Sequence, residues 1–228
     1  MFTILQPDRG AKIKGVLFDM DGVVIDTEKL YTRFWMEACH FYGFPMTRVQ
    51  ALGMRSLGGP KAEAQLRGYF GEGADCHAIR AKRIELMNAF IEENGVELKP
   101  GIRELLAYLK ANGIRCAITS SAGLSTIRAH LGSVGIVHLF DELCSGRDVL
   151  NGKPAPDIYL HGAACLGLKP EECLAIEDSP AGIESAYRAG TYPVMVPDQD
   201  QPSEETLARC FAKADSLLDV MDLLESLK

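Results

Sequence analysis

Two aspartates, Asp19 and Asp21, follow the apolar run Val16-Leu17-Phe18 and precede a glycine, in the stretch FDMDGVVIDTE. Like charges ~4 Å apart repel by about 4 kcal/mol at an effective dielectric of ~20, so such a pair persists only where a cation or a reaction uses it. A second acid pair, Glu177-Asp178, closes the run CLAIED. A hydroxyl cluster, Thr119-Ser120-Ser121, closes IRCAITSS, and Lys153 stands in the segment GKPAP. Several carboxylates with hard oxygen donors suit Mg²⁺. A bound cation would turn carboxylate repulsion into coordination and let a carboxylate approach an anionic phosphoryl group.

These residues must be brought together by strands. Ile13 to Phe18, 114–121 and 173–178 read as short buried strands that end in polar residues, with a weaker strand at 140–146 and another at 192–197. Helical patterns lie between them: 101–112, 123–132, 155–166 and the segment opened by Ser179-Pro180, which stops at Gly190, with two further helices closing the chain. Strands alternating with helices predict an α/β fold, a parallel sheet covered on both faces. In such sheets the carboxyl ends of the strands share one edge, where ligands bind. Between 27 and 95 no strand pattern occurs. Thr27 reads as a cap for a helix with Leu30, Phe34, Ala38 and Phe41 on one face and Gly43 as its stop. Residues 45–60 are irregular, with Gly53, Gly58, Gly59 and Pro60, and helices follow at roughly 60–70 and 75–94. An all-helical insertion, 26–95, therefore interrupts an α/β core formed by 1–25 and 96–228. It leaves just past the first strand, so it is placed to cover the strand ends, with hinges near 26 and 95–100.

The remaining composition narrows the partners. Net charge is −7 with no basic run, which argues against nucleic acid or an anionic membrane. Any anion site must be local. The seven cysteines form no CxxC pair, as expected of a reduced, cytoplasmic protein; Cys116 and Cys173 fall inside strand patterns and read as packing residues. The first residues, MFTILQPDRGAKIKG, carry no apolar core of a signal peptide. No stretch approaches the ~20 apolar residues of a membrane span.

The segments DMDGVVIDTE, AITSS, KPAP and AIEDSPAGIESAYRAG, in this order, resemble the haloacid dehalogenase superfamily, and within it the β-phosphoglucomutase-like phosphatase group with a helical cap. The resemblance spans roughly 14–200. It implies a Rossmann-like three-layer core with an inserted helical cap, a Mg²⁺ cofactor and a small phosphorylated metabolite as substrate. It implies Asp19 as the nucleophile forming an aspartyl-phosphate and Asp21 as general acid/base. Thr119 would bind phosphate through its hydroxyl, Ser120 through its backbone amide, and Lys153 through its charge. Asp178, with Asp19 and the backbone carbonyl of Asp21, would hold the metal, with Glu177 as ligand or support. A monomer is expected by the same resemblance.

Singly, each segment has a plainer reading. Asp-Gly is a turn signal, and DxDG also opens a calcium loop, but the fifth and twelfth loop positions are Val23 and Leu30, which cannot ligate. Thr-Ser-Ser is a frequent turn, Lys153 a frequent surface lysine, and Glu-Asp-Ser-Pro a good helix start. Their joint placement on strand ends favours chemistry. Asp26 reads either as part of that motif or as a helix cap.

Dehalogenases and phosphonatases of the superfamily lack an acid at the position of Asp21, so phosphate esters are the expected substrates, sugar phosphates or nucleoside monophosphates. Mutases carry a cap histidine, lysine and arginine where this chain has Tyr31, Leu52 and Ser56. A phosphatase is therefore expected over a phosphomutase, with Arg55 able to serve the latter if the alignment shifts by one. Tyr31 and Arg55 are the cap substrate candidates, with Trp35, Met54 and Lys61 as further lining. A non-catalytic phospho-ligand-binding member is the reading from another class. A receiver domain is disfavoured, because its acid pair comes first and it lacks an insertion, and a cysteine nucleophile lacks a histidine pattern.

Overall fold

The computed structural model describes residues 1–7, 10, 12–55, 57, 59–199 and 201–228. Its elements, in chain order, are β1 (Phe2–Ile4), β2 (Gly15–Phe18), α1 (Glu28–Phe41), α2 (Arg48–Leu52), α3 (Gly59–Phe70), α4 (Cys76–Asn94), α5 (Ile102–Ala111), β3 (Arg115–Ser120), α6 (Leu124–Ser133), β4 (Glu142–Ser145), α7 (Asp157–Cys165), β5 (Cys173–Glu177), α8 (Pro180–Arg188), β6 (Tyr192–Met195), α9 (Glu204–Leu207), β7 (Ala212–Ala214) and α10 (Leu217–Ser226). The seven strands form one sheet in the order β1-β7-β6-β5-β2-β3-β4. All neighbours run parallel except β1, which pairs antiparallel with β7 at the edge. The expected α/β class and alternation hold. β1, β7 and the short helix α2 were not anticipated; the two strands span three residues each, too few to set a period.

The strands are apolar on both sides because both sides are covered. Val16 and Phe18 pack with α5, α6 and α10, while Leu17 packs with α7 and α8. The layers are thus helix, sheet, helix, a Rossmann-like arrangement. Register does the positioning. Phe18 lies level with Ile118 on β3 and Ile176 on β5. The next residues, Asp19, Thr119 and Glu177, are therefore level too, on three adjacent strands at the carboxyl edge.

Helices α1 to α4 bury a core of their own, built on Trp35, Ala38, Leu66 and Ile79, with Leu30, Phe34 and Met87 in a second cluster. Leu30, Phe34 and Ala38 face inward as their spacing predicts, but Phe41 is 65% exposed and lies outside that face. The two chain segments that enter and leave these helices run side by side. Ile25 bridges Leu98 in antiparallel fashion, Asp26 N–H donates to the Glu97 carbonyl (2.8 Å), and Lys99 N–H donates to that of Val24 (3.0 Å). Asp26 does not cap α1. It accepts from Lys29 (2.6 Å), which also reaches Glu97 (2.6 Å), so it fastens this junction.

Candidate active site

The strand ends face a partly open cavity of about 500 Å³ between the sheet edge and the α1–α4 helices, a size that suits a small metabolite. Asp19, Asp21 and Lys153 line it, with Ser121, Ala122 and Gly123 from the turn after β3, and Tyr31 and Arg55 from the helical side.

Lys153 is the hinge pin of the charges. Its Nζ lies 2.5 Å from Asp19 Oδ1 and 2.5 Å from Glu177 Oε1, and the side chain is almost fully buried. Burial alone would lower its pKa, but the two carboxylates outweigh that and hold it well above the usual lysine value. The ammonium also sits over the Tyr159 ring. Glu177 is fully committed: besides Lys153 it accepts from the Tyr159 hydroxyl (2.7 Å) and the Ser179 hydroxyl (3.1 Å). A Cβ on Gly182 would come within 1.8 Å of its Oε1, so α8 must start with a glycine at that point.

Asp21 is held differently. The Thr27 hydroxyl, expected to cap α1, makes no cap bond and instead donates to Asp21 Oδ1 at 2.5 Å. Burial raises the pKa of Asp21, an effect the Thr27 bond opposes. Burial likewise pushes Asp19 up to about 7, with Lys153 pulling down and Glu177 and Asp21 pushing up.

The acids outnumber their partners. Asp19, Glu177 and Asp178 place oxygens within 4.8 Å of one another. Asp178 Oδ2 is buried without a hydrogen bond, and Arg55 Nη1 lies 3.8 Å from it. Burial, then Glu28 and the neighbouring acids, raise Asp178 well above the ordinary carboxylate range. Glu28, missed at the level of sequence, adds another buried carboxylate whose Oε2 lacks a hydrogen bond. Gly22, at φ +84, keeps the turn clear: a Cβ there would meet Asp178 Oδ2 at 2.5 Å. Hard oxygen donors, excess buried negative charge and an orphaned carboxylate oxygen fit a divalent cation such as Mg²⁺. The Asp21 side chain stays outside this trio.

One expected role is corrected by the geometry. Thr119 is completely buried and its hydroxyl donates to the Phe18 carbonyl (3.1 Å), so it does not present a hydroxyl to the cavity. The pleat turns it beneath α7, where its methyl would meet any Cβ at Gly162. Ser120 is also buried, its hydroxyl accepting from Ala122 N–H (3.1 Å). The groups that reach the cavity begin one to two residues later, at Ser121 and Ala122.

On the helical side, Trp35 and Met54 are buried in the helical core as well as bordering the cavity. Tyr31 borders the cavity with Arg83 5.0 Å over its ring. Lys61 is not a cavity residue: it donates to the Lys153 carbonyl (3.1 Å) and ties α3 to the loop of the core lysine. Leu52 is absent from the lining among the described residues, and Ser56 and Gly58 lie outside them. Arg80, Arg83, His130 and Arg147 also line the cavity and were not anticipated. Lone positions on charged helices carry no signal of their heading. His130 is buried with Nδ1 lacking a hydrogen bond, and its charge would lower the pKa of Asp21.

The chain can be set beside known proteins on this geometry. It is 33% identical over 186 residues to hexitol phosphatase A of Escherichia coli (strain K12), covering 81% of this chain and 83% of that one. It is 32% identical over 200 residues to β-phosphoglucomutase of Bacillus subtilis (strain 168), covering 83% and 85%. In structure it resembles CbbY from Rhodobacter sphaeroides in complex with xylulose-(1,5)bisphosphate, with a TM-score of 0.74 at 26% identity, covering 90% of this chain and 95% of CbbY. The family model for haloacid dehalogenase-like hydrolases matches residues 13–190. On the sheet order, the helical insertion and these matches, the chain belongs to the haloacid dehalogenase-like hydrolases.

Proposed function

We propose that this protein is a Mg²⁺-dependent phosphatase that hydrolyses a small phosphorylated metabolite, a sugar phosphate or nucleoside monophosphate, through an aspartyl-phosphate on Asp19. The observation that carries this is the ammonium of Lys153 bridging Asp19 and Glu177 at the cavity floor, beside an Asp21 steered by Thr27. Residues 1–25 and 96–228 would form the core and 26–95 the cap.

An Asp19 carboxylate oxygen attacks phosphorus, and the bond from phosphorus to the ester oxygen breaks. Asp21, whose raised pKa favours a held proton, gives that proton to the leaving alkoxide. Asp21 then takes a proton from water as the water oxygen attacks the phosphoryl group, which frees Asp19 and releases phosphate. Lys153 balances charge on Asp19 and the phosphoryl oxygens, and Glu177 holds Lys153 in place. The turn at Ser121, which borders the cavity, offers its hydroxyl and backbone amide as donors to the phosphate. Asp19 and Asp178 would hold Mg²⁺, which would supply the positive charge that lets two anions meet. Arg55, Arg80, Arg83 and Arg147 around the cavity give a chain of net charge −7 the local positive field an anionic substrate needs.

A phosphomutase is the second reading, favoured by Arg80 and Arg83, which approach from α4 and could hold a second phosphate. A Mg²⁺-dependent phosphate-release screen over sugar and nucleoside monophosphates, with Asp19→Asn as control, tests the first reading. Release that vanishes in Asp19→Asn supports it. Conversion of β-glucose 1-phosphate to the 6-phosphate with little free phosphate would replace it with the second. Ligand binding without turnover would leave a non-catalytic binding protein.

A further inference from the structure

Outside the cavity lining, three soft ligands meet between β4 and α7. Cys144 comes from β4 and is buried; His161 and Cys165 come from α7, both half-buried. Their ligating atoms lie within 4.8 Å of one another. His161 and Cys165 are four residues apart, one helical turn, and so share a face. That face packs on the sheet at Cys144, because β4 is level with β3 at Thr119 and Cys144, on the side covered by α7. Cys165 Sγ stands 3.6 Å from His161 Nε2 and 3.9 Å from Nδ1. Both ring nitrogens thus lie within 4 Å of the sulfur.

The other cysteines are placed otherwise. Cys116, Cys173 and Cys210 direct their thiols at backbone carbonyls, of Leu139, Lys169 and Thr206. Cys39 and Cys76 lie in the helical core, near Met46 Sδ and the Ala74 carbonyl. All seven are free thiols. Two thiols and an imidazole from two rigid elements make a donor set for a soft or borderline d¹⁰ ion, not for Mg²⁺. With Zn–S bonds of ~2.3 Å, tetrahedral geometry spaces two sulfurs ~3.8 Å apart, which is within reach of the observed spacing by side-chain rotation. The half-exposed His161 and Cys165 leave a path for the ion and room for water at a fourth position.

We propose that Cys144, His161 and Cys165 form a zinc site with three protein ligands and one open position, separate from the carboxylate cluster. Binding would release the two thiol protons, since thiolates are the ligands. The ligands sit on the strand before and the helix after the loop that carries Lys153, so the ion would clamp that loop at both ends.

The test uses the full chain, chelator-stripped and reduced with a phosphine, in excess Mg²⁺ to occupy the carboxylates. Co²⁺ is titrated as the optical probe and then displaced with Zn²⁺. One equivalent should raise a thiolate-to-cobalt charge-transfer band, and Zn²⁺ should bleach it. Cys144→Ala and Cys165→Ala should each cut the band by about half and weaken binding by ~100-fold, the share of one ligand in a zinc site. His161→Ala should weaken binding with the band retained, and Asp19→Asn should leave it intact. A folded protein that shows no such band overturns the proposal, as does a band untouched in Cys165→Ala. Cys165→Ala and His161→Ala change half-buried positions, so they decide the matter if Cys144→Ala fails to fold.

Discussion

Replacing Thr27 by valine removes one hydroxyl and almost no volume from a completely buried position. In the native arrangement that hydroxyl donates to Asp21 at 2.5 Å and opposes the rise that burial imposes on the Asp21 pKa. A hydrogen bond to a charged group is worth about 1.5–3 kcal/mol, and one pKa unit corresponds to about 1.4 kcal/mol. Losing the bond should therefore lift the Asp21 pKa further. If ionised Asp21 activates water, the acid limb of the rate profile moves to higher pH. Below the limb, turnover falls ~10–100-fold, while on the plateau it changes little. The assay is phosphate release against pH at saturating Mg²⁺, for wild type, Thr27→Val and Thr27→Ser. Serine keeps the hydroxyl and should track wild type. A limb that stays in place in a Thr27→Val protein of unchanged thermal midpoint would refute the assignment of Asp21 as the base steered by Thr27.

Gly182→Ala would drive a methyl against the Glu177 carboxylate, and a loss of about 3 kcal/mol or more is expected in urea unfolding. Metal removal should make stability depend on pH in one direction. Asp19 binds its proton more tightly folded (about 7) than unfolded (3.8), so its contribution is full below 3.8 and is lost as pH rises to about 7. That is on the order of 4 kcal/mol for this group, and thermal midpoints in chelator should fall across that window, with Mg²⁺ flattening the curve. Lys61→Met breaks the bond to the Lys153 carbonyl; we expect the Michaelis constant to rise by a few fold with the urea midpoint of the core unchanged. Equal constants in both proteins would show that this bond does not position the Lys153 loop for substrate.

The strands that carry the site were readable because they are apolar on both faces and end abruptly. Val16-Leu17-Phe18 and Cys173-Leu174-Ala175-Ile176 have no polar residue before the acids, so the strand end and the reactive position coincide. The hydroxyl run 119–121 gave no such phase. Three small polar residues in a row conceal which one lies under α7, and only the pleat, through Gly162 and Phe18, shows that it is Thr119. Thr27 was legible as a helix start but not as the partner of Asp21, because a free hydroxyl serves either role. Arg83 was hidden for another reason: in α4 the charged residues surround the helix, so no face could be assigned from the pattern alone. The zinc-type cluster was invisible for want of a short motif, since Cys144 and His161 are joined only through sheet and helix packing.

The paired segments at Val24–Asp26 and Glu97–Lys99 bear on how the two halves can move. Two separate tethers would act as a ball joint, free to swivel. Cross-linked by backbone bonds, they act as a flat strap, compliant to bending across its width and stiff to twist and shear. Were the helices above the cavity to close over Asp19, such a strap would confine them to a nodding motion along one arc. Each closing stroke would then return Tyr31 and Arg55 to the same height over Asp19, so a substrate would be gauged against a fixed ruler and not a wandering one.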